Sequence, residues 1–334
     1  MLKRKSKASQ FGVFMLVVLL SGSLLVGGCG RPQEVSPPPA QDATAAPSPQ
    51  GAAEPDAIEA ATIQIRGSDS EVNMVASLAE EFMLTYPQVQ IAVTGGGSGA
   101  GIAALLDGTV DIANSSRPMK DSEIEKARAN GVEAVAVRFA MDGVAAIVNE
   151  NNPAESLSME ELGAIFRGEI TNWSEVGGED KGINLYGRQS NSGTFIFFME
   201  WVLRGDYDPG MRNMVGNADI LEAVRSDVTG IGYIAIGYAT EGGNVRPGIK
   251  VLSIAAQKGE PPVSPLELEN ITSGAYPISR PLYQFVAGRP EGAIRKFLEF
   301  ELSERGQEIV LESGFYPITD ADREFNKNSA GIQQ

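Results

Sequence analysis

Apolar and polar positions follow one another along this chain in two rhythms. In TIQIR (62–66) every second position is apolar, which predicts a half-buried strand. In SEVNMVASLAEEFMLTY (70–86) apolar residues return every three or four positions up to Pro87, which predicts an amphipathic helix. QIAVT (90–94) is a second predicted strand and AGIAALLDG (100–108) a second helix, ended by Gly108. VDIAN (110–114), VEAVAVRFA (132–140) and VAAIVN (144–149) read as further strands, with a charged helix between Asp121 and Asn130. This βαβαβ succession predicts an α/β fold with largely parallel sheets. Phe195, Phe197, Phe198 and Trp201 recur at helical spacing and are expected in the core, and Asn172-Trp173-Ser174 is expected to end a helix. The stretch EGAIRKFLEFELSERGQEIVLESG reads as two helices stopped by Gly314.

The ends of the chain follow neither rhythm. A cationic start (Lys3, Arg4, Lys5, Lys7) and an apolar run from Phe11 to Leu20 have the form of a secretory signal over residues 1–28. The run is short for a membrane-spanning helix. Val26, Gly27 and Gly28 precede Cys29, the one cysteine, in a pattern that resembles a bacterial lipobox, in which that thiol is lipidated. The alternative is a buried free cysteine. Residues 29–61 are rich in Pro, Ala and small polar residues and are expected to form a disordered tether. Residues 328–334 are expected to form a disordered tail. A tether behind a lipid anchor places the folded part at the extracytoplasmic face of the cell membrane.

Charge and composition then remove whole classes of chemistry. The formal charge is −16, and it becomes −20 once the four signal cations are removed. Binding to nucleic acid through a general basic field is excluded on that balance. Histidine is absent, so Ser-His-Asp catalysis, histidine metal sites and histidine bases are absent too. The expectation is a chain without cofactor or enzymatic activity. A dinucleotide loop at Gly95-x-Gly97-x-x-Ala100 lacks an acid about twenty residues on. A hydrolase elbow at Gly96-x-Ser98 ends on Ala100 and has no base.

In α/β sheets ligands sit where strands hand over to helices, and three such junctions share one chemistry. They are Gly67-Ser68-Asp69-Ser70, Gly97-Ser98-Gly99, and Arg188 with Ser192, Gly193 and Thr194. Each offers free N–H groups and a hydroxyl at a helix start, which suits an anion. Each by itself is also an ordinary helix cap. Ser115, Ser116 and Arg117 follow the third strand and add further donors.

Together the segments IRGSDS, TGGGSGAGI, VDIANSSRPM, LSMEELGAIFRGEITNWSEV, GRQSNSGT and GIGYIAIGYA resemble the phosphate-binding proteins of bacterial high-affinity phosphate ABC transporters. The resemblance spans Ile65 to Ala239. It implies a two-lobed periplasmic-binding-protein fold (type II) with the ligand between the lobes. The implied lobes are 62–141 plus 239–327, and 142–238. It also implies a monomer that delivers inorganic phosphate to permease subunits. The positions it implies around phosphate are Ser68, Asp69, Ser70, Ser98, Ser116, Arg188, Ser192, Gly193 and Thr194. Many relatives carry an aspartate in the slot of Ser116, and Arg117 next to it is a further candidate contact.

Near neutral pH phosphate keeps a proton and sulfate does not, so a buried carboxylate acceptor favours phosphate. Asp69 is the first candidate for that acceptor and Asp142 the second; the alternative is that Asp69 caps its helix and Asp142 turns the chain. A buried anion loses several kcal/mol of hydration, while each hydrogen bond to it returns about 1.5–3 kcal/mol. On the order of ten donors from two lobes are therefore needed. Sulfate, molybdate, or a phosphate-binding adhesion or signalling role are the remaining alternatives.

Overall fold

The computed structural model describes residues 58–333. The expected signal, Cys29 and most of the tether lie outside the described residues. Ile58, ahead of the expected start of the folded part near Thr62, already packs against the core. Strand β1 (Ala61–Gly67) follows, with Ile63 and Ile65 turned inward in alternation. Helix α1 (Val72–Thr85) buries Met74, Val75, Leu78, Ala79 and Phe82, the stripe that the spacing predicts. Strand β2 (Val89–Thr94), helix α2 (Ser98–Leu106), strand β3 (Ile112–Ser115) and helix α3 (Asp121–Ala129) complete the first half. β1 lies between β2 and β3 and is parallel to both.

The sheet is mixed rather than largely parallel. Strand Ser279–Ala287, from the last third of the chain, inserts beside β3 and runs antiparallel to it. Its other edge pairs antiparallel with β4 (Ala134–Asn149). β4 is one strand of 16 residues where the sequence suggests two with a break near Asp142. Asp142 keeps the chain extended because its carboxylate accepts bonds from Ile236 N and from Arg280 and makes no local turn. Beyond Gly143 the same strand changes partner. Val144–Val148 pairs antiparallel with strand Gly230–Ala235, and Ile147–Asn149 with strand Ile249–Val251. Strand Asn184–Arg188 lies parallel to Gly230–Ala235 and to Arg212–Met214. Nine of the strands among the described residues thus form one sheet with β4 common to both halves, beside two small two-stranded sheets.

The two C-terminal helices form at Gly292–Leu302 and Glu304–Glu312. Phe297 from the first of them meets Phe82 of α1 edge-on, with centroids 5.3 Å apart. The tail expected from residue 328 is instead the end of a third helix, Asp320–Ala330. Thr319 caps that helix, and Ala330 and Ile332 are buried, which fixes a segment whose polar sequence hides its anchoring residues. Asn172 does not end a helix. It caps a 3-10 turn at Trp173–Val176, six residues after helix Met159–Phe166 has stopped.

Candidate functional site

The site is assembled from the turn after β1, the glycine-rich turn after β2, the end of β3, the middle of β4, and the segment after Arg188. Ser68, Ser70, Ser98, Ser116, Asp142, Arg188, Ser192 and Thr194 are all buried, and Asp69 is partly so. Ser98 opens α2, and its hydroxyl accepts from Ser116 N at 3.1 Å and lies 3.4 Å from Ser116 Oγ. Gly193 closes this corner: a Cβ there would stand 2.3 Å from Ser98 Oγ and 2.6 Å from Ser116 Oγ. Ser192 accepts from Phe195 N and caps the helix that begins at Gly193. Ser70 Oγ lies 3.0 Å from Thr194 Oγ1. Ser68 is held through its amide by Asn114 O.

The glycine-rich turn works differently from its first appearance. Gly97 has a φ of 90°, donates to Gly67 O, and would place a Cβ 2.6 Å from Asn191 O. Its bareness admits the neighbouring chain, and Gly99 N then donates to Asn191 O at 3.2 Å. Gly96 N donates to Asp69 Oδ1 at 3.0 Å. Ser98 is the residue of this turn that faces the serine corner.

Three arginines surround the site, and each is paired with an acid. Arg188 Nη2 donates to Asp69 Oδ2 at 2.5 Å and to Val215 O at 3.0 Å. Arg188 Nε and Nη1 are buried and have no partner among the described residues. Arg117 is turned to α3: Nη1 and Nη2 form a fork on Glu123 at 2.8 and 2.7 Å, and Nη1 also donates to Pro118 O. Burial pushes the Glu123 carboxyl up, but hydrogen bonds from Arg117 and the Lys120 amide outweigh it and hold the group below the usual range. The third is Arg280, which sequence reasoning missed. Its Nε and Nη2 donate to Asp142 Oδ2 at 3.0 and 2.8 Å, Nη1 to Ser116 O at 2.9 Å, and Nη2 also to Thr194 Oγ1 at 3.0 Å. Phe197 lies under the guanidinium, 5.0 Å to the ring centroid. The signal for Arg280 was a lone cation within the strand pattern SRPLYQFVA.

The structure therefore brings Ser70, Ser98, Ser116, Gly193, Thr194, Asp142 and Arg280 into one connected cluster, with the Arg188–Asp69 pair also joining the turn after β1 to the segment after Arg188. Arg117 borders the cluster with its Nη groups engaged elsewhere. The cluster is rich in donors, and its cations are already balanced. Such a site can hold a small oxyanion by close dipoles and by the unused guanidinium N–H groups.

Comparison with known proteins agrees in kind. The profile of the PBP superfamily domain matches residues 44–305. The phosphate-binding protein PstS of Pseudomonas aeruginosa is 33% identical over 270 residues, covering 75% of this chain and 81% of the relative. PstS of Bacillus subtilis is 32% identical over 264 residues, covering 78% and 81%. A candidate phosphate ABC transporter substrate-binding protein from Clostridium perfringens, solved with phosphate bound, superposes with a TM-score of 0.69 at 28% identity, covering 77% of this chain and 100% of that one.

Proposed function

Because the chain belongs to the PBP superfamily and to its phosphate-binding branch, we propose that it captures inorganic phosphate outside the cytoplasm for an ABC-type importer and performs no chemistry on it. The observation that carries this reading is the pair of buried, unpartnered donors on Arg188. Leaving a charged donor buried without an acceptor costs about 1–3 kcal/mol or more, so a site with two of them is built for an anion. Ser70, Ser98, Ser116, Ser192, Gly193 and Thr194 supply hydroxyl and amide donors beside it. Ser68 supports the first turn from behind, and Arg117 serves as a positioning group through Glu123.

For the proton acceptor we favour Asp142 over Asp69. Asp142 is fully buried and tied through Arg280 to Ser116 and Thr194. Asp69 is partly exposed and committed to Gly96 N and Arg188. Asp142→Asn is expected to narrow the ratio of phosphate to sulfate affinity at least tenfold; a ratio that moves only with Asp69→Asn reassigns the role.

The lobes read from the sequence, 62–141 with 239–327 and 142–238, fit a closing motion. Arg188–Asp69, Ser70–Thr194 and Gly99–Asn191 would then be the contacts that form on closure. We further propose that Cys29 carries a lipid that keeps a monomeric receptor at the membrane beside its permease. Calorimetric titration with phosphate, sulfate, molybdate and arsenate tests the assignment. Phosphate is expected to bind tightest with sulfate at least a hundredfold weaker, and tight sulfate binding or no phosphate heat would refute it.

A further inference from the structure

Glu71 stands at the start of α1, directly after the turn that carries Ser68, Asp69 and Ser70, and its side chain is fully buried. Among the described residues neither carboxyl oxygen reaches a partner at hydrogen-bonding geometry, although the Ser68 hydroxyl is close enough to offset part of the burial penalty. The groups whose charge or hydroxyl acts on it come from four elements: Ser68 from the turn, Arg280 from strand Ser279–Ala287, Asp142 from β4, and Glu301 from helix Gly292–Leu302. Glu301 is also fully buried. It accepts from Gln284 Nε2 at 3.0 Å, and Gln284 Nε2 also donates to Asn114 Oδ1 at 3.2 Å. Asn114 O in turn accepts Ser68 N at 2.9 Å. A file of buried polar groups thus runs from Glu301, behind β3, to the back of the first site turn.

The charges in this region do not balance if every acid is ionised. The charged groups acting on Glu71 are two acids, Asp142 and Glu301, and one cation, Arg280, and Arg280 commits both Nε and Nη2 to Asp142. Burying further carboxylates without a cation or a donor carries a penalty of several kcal/mol each, and the lower-cost solution is to keep the proton. Burial accordingly pushes both the Glu71 and the Glu301 carboxyl well above the usual glutamate range.

We propose that Glu71 lies behind the phosphate site as the neutral acid and that phosphate capture is coupled to the proton on Glu71, Glu301 being the second proton-holding group of the same file. This rests on the phosphate reading. A bound anion opposes ionisation of Glu71, so the carboxyl holds its proton more tightly in the complex than in the free protein. Between those two values binding takes up a proton, and affinity falls as pH rises through that window.

The experiment is phosphate calorimetry on the full chain over a pH series, in buffers of differing ionisation enthalpy, for wild type and Glu71→Gln. Phosphate's own ionisation is common to both proteins and cancels. The expected result is that wild type takes up more protons per phosphate, approaching about one, and loses affinity more steeply on the alkaline side, by up to about tenfold per pH unit. Equal proton counts and equal slopes in the two proteins overturn the proposal while leaving the phosphate reading intact. No phosphate heat in either protein refutes that reading, and this proposal with it. Should Glu71→Gln fail to fold, infrared difference spectra of wild type with and without inorganic phosphate decide. A shift in the carbonyl band of a protonated carboxyl supports the coupling, and no change in that region overturns it.

Discussion

Arg188 and Arg117 are both buried, yet their hydrogen bonds give them different work. Arg117 spends both Nη groups on Glu123 and Pro118 and leaves only Nε without a partner among the described residues, while Arg188 leaves Nε and Nη1 so. Arg188→Ala is therefore expected to weaken phosphate binding by at least a hundredfold, the equivalent of one or two charge-assisted bonds at about 1.5–3 kcal/mol each. Arg117→Ala should cost less than a tenth of that loss, and comparable losses by calorimetry would show that the fork on Glu123 yields to ligand. At this scale the sequence was readable where a residue type has few uses. Serines and a threonine at helix starts, beside glycines, point to an anion. Arg280 and Glu71 were not readable, because a charged residue in a strand or at a helix start is normally solvated. Only the fold shows that both are buried and that Arg280 pairs with Asp142 across 138 residues of sequence.

At the scale of elements, the alternation of β1 and the stripe of α1 specified those elements nearly to the residue. The parallel pairing of β1, β2 and β3 followed from the βαβ order. The antiparallel insertion of Ser279–Ala287 did not, since it depends on where the chain returns after the second half, and no local rhythm records that. The glycine-rich turn shows a second limit. Its composition suggested approach to an anion, whereas several of its glycines admit protein. Gly101 is the sharpest case: a Cβ would lie 2.3 Å from Arg66 O and 2.6 Å from Gly67 Cα. Gly101→Ala should force α2 away from the end of β1. The expected cost is about 1–3 kcal/mol, the range for overpacking, read as a lower urea midpoint, with Ser98 displaced and phosphate affinity reduced. Unchanged stability and affinity would mean that α2 adjusts freely against β1.

For the whole molecule, two buried carboxyls make stability depend on pH in an unusual direction. Glu71 and Glu301 hold protons in the folded state well above the range in which they lose them when unfolded. Their contribution is fully present below the ordinary glutamate range and is lost as pH rises through their folded values. Urea unfolding at about pH 5, 7 and 9 should show declining stability on the alkaline side, and the double variant Glu71→Gln, Glu301→Gln should flatten that decline. A decline of equal size in the double variant would assign it to other groups.

β4 is also where the two halves of the sheet meet, and they do so without slack. A receptor whose halves were joined by loose linkers would open as a box does on a free hinge. Here a paired strand runs through the junction, so any separation must be taken up as twist over the few residues around Asp142 and Gly143. The junction is then a torsion spring with its rest angle fixed by the ladder, and under the closing motion proposed above its latches are the Arg188–Asp69 and Ser70–Thr194 contacts. Such a spring returns to its rest angle once those contacts part.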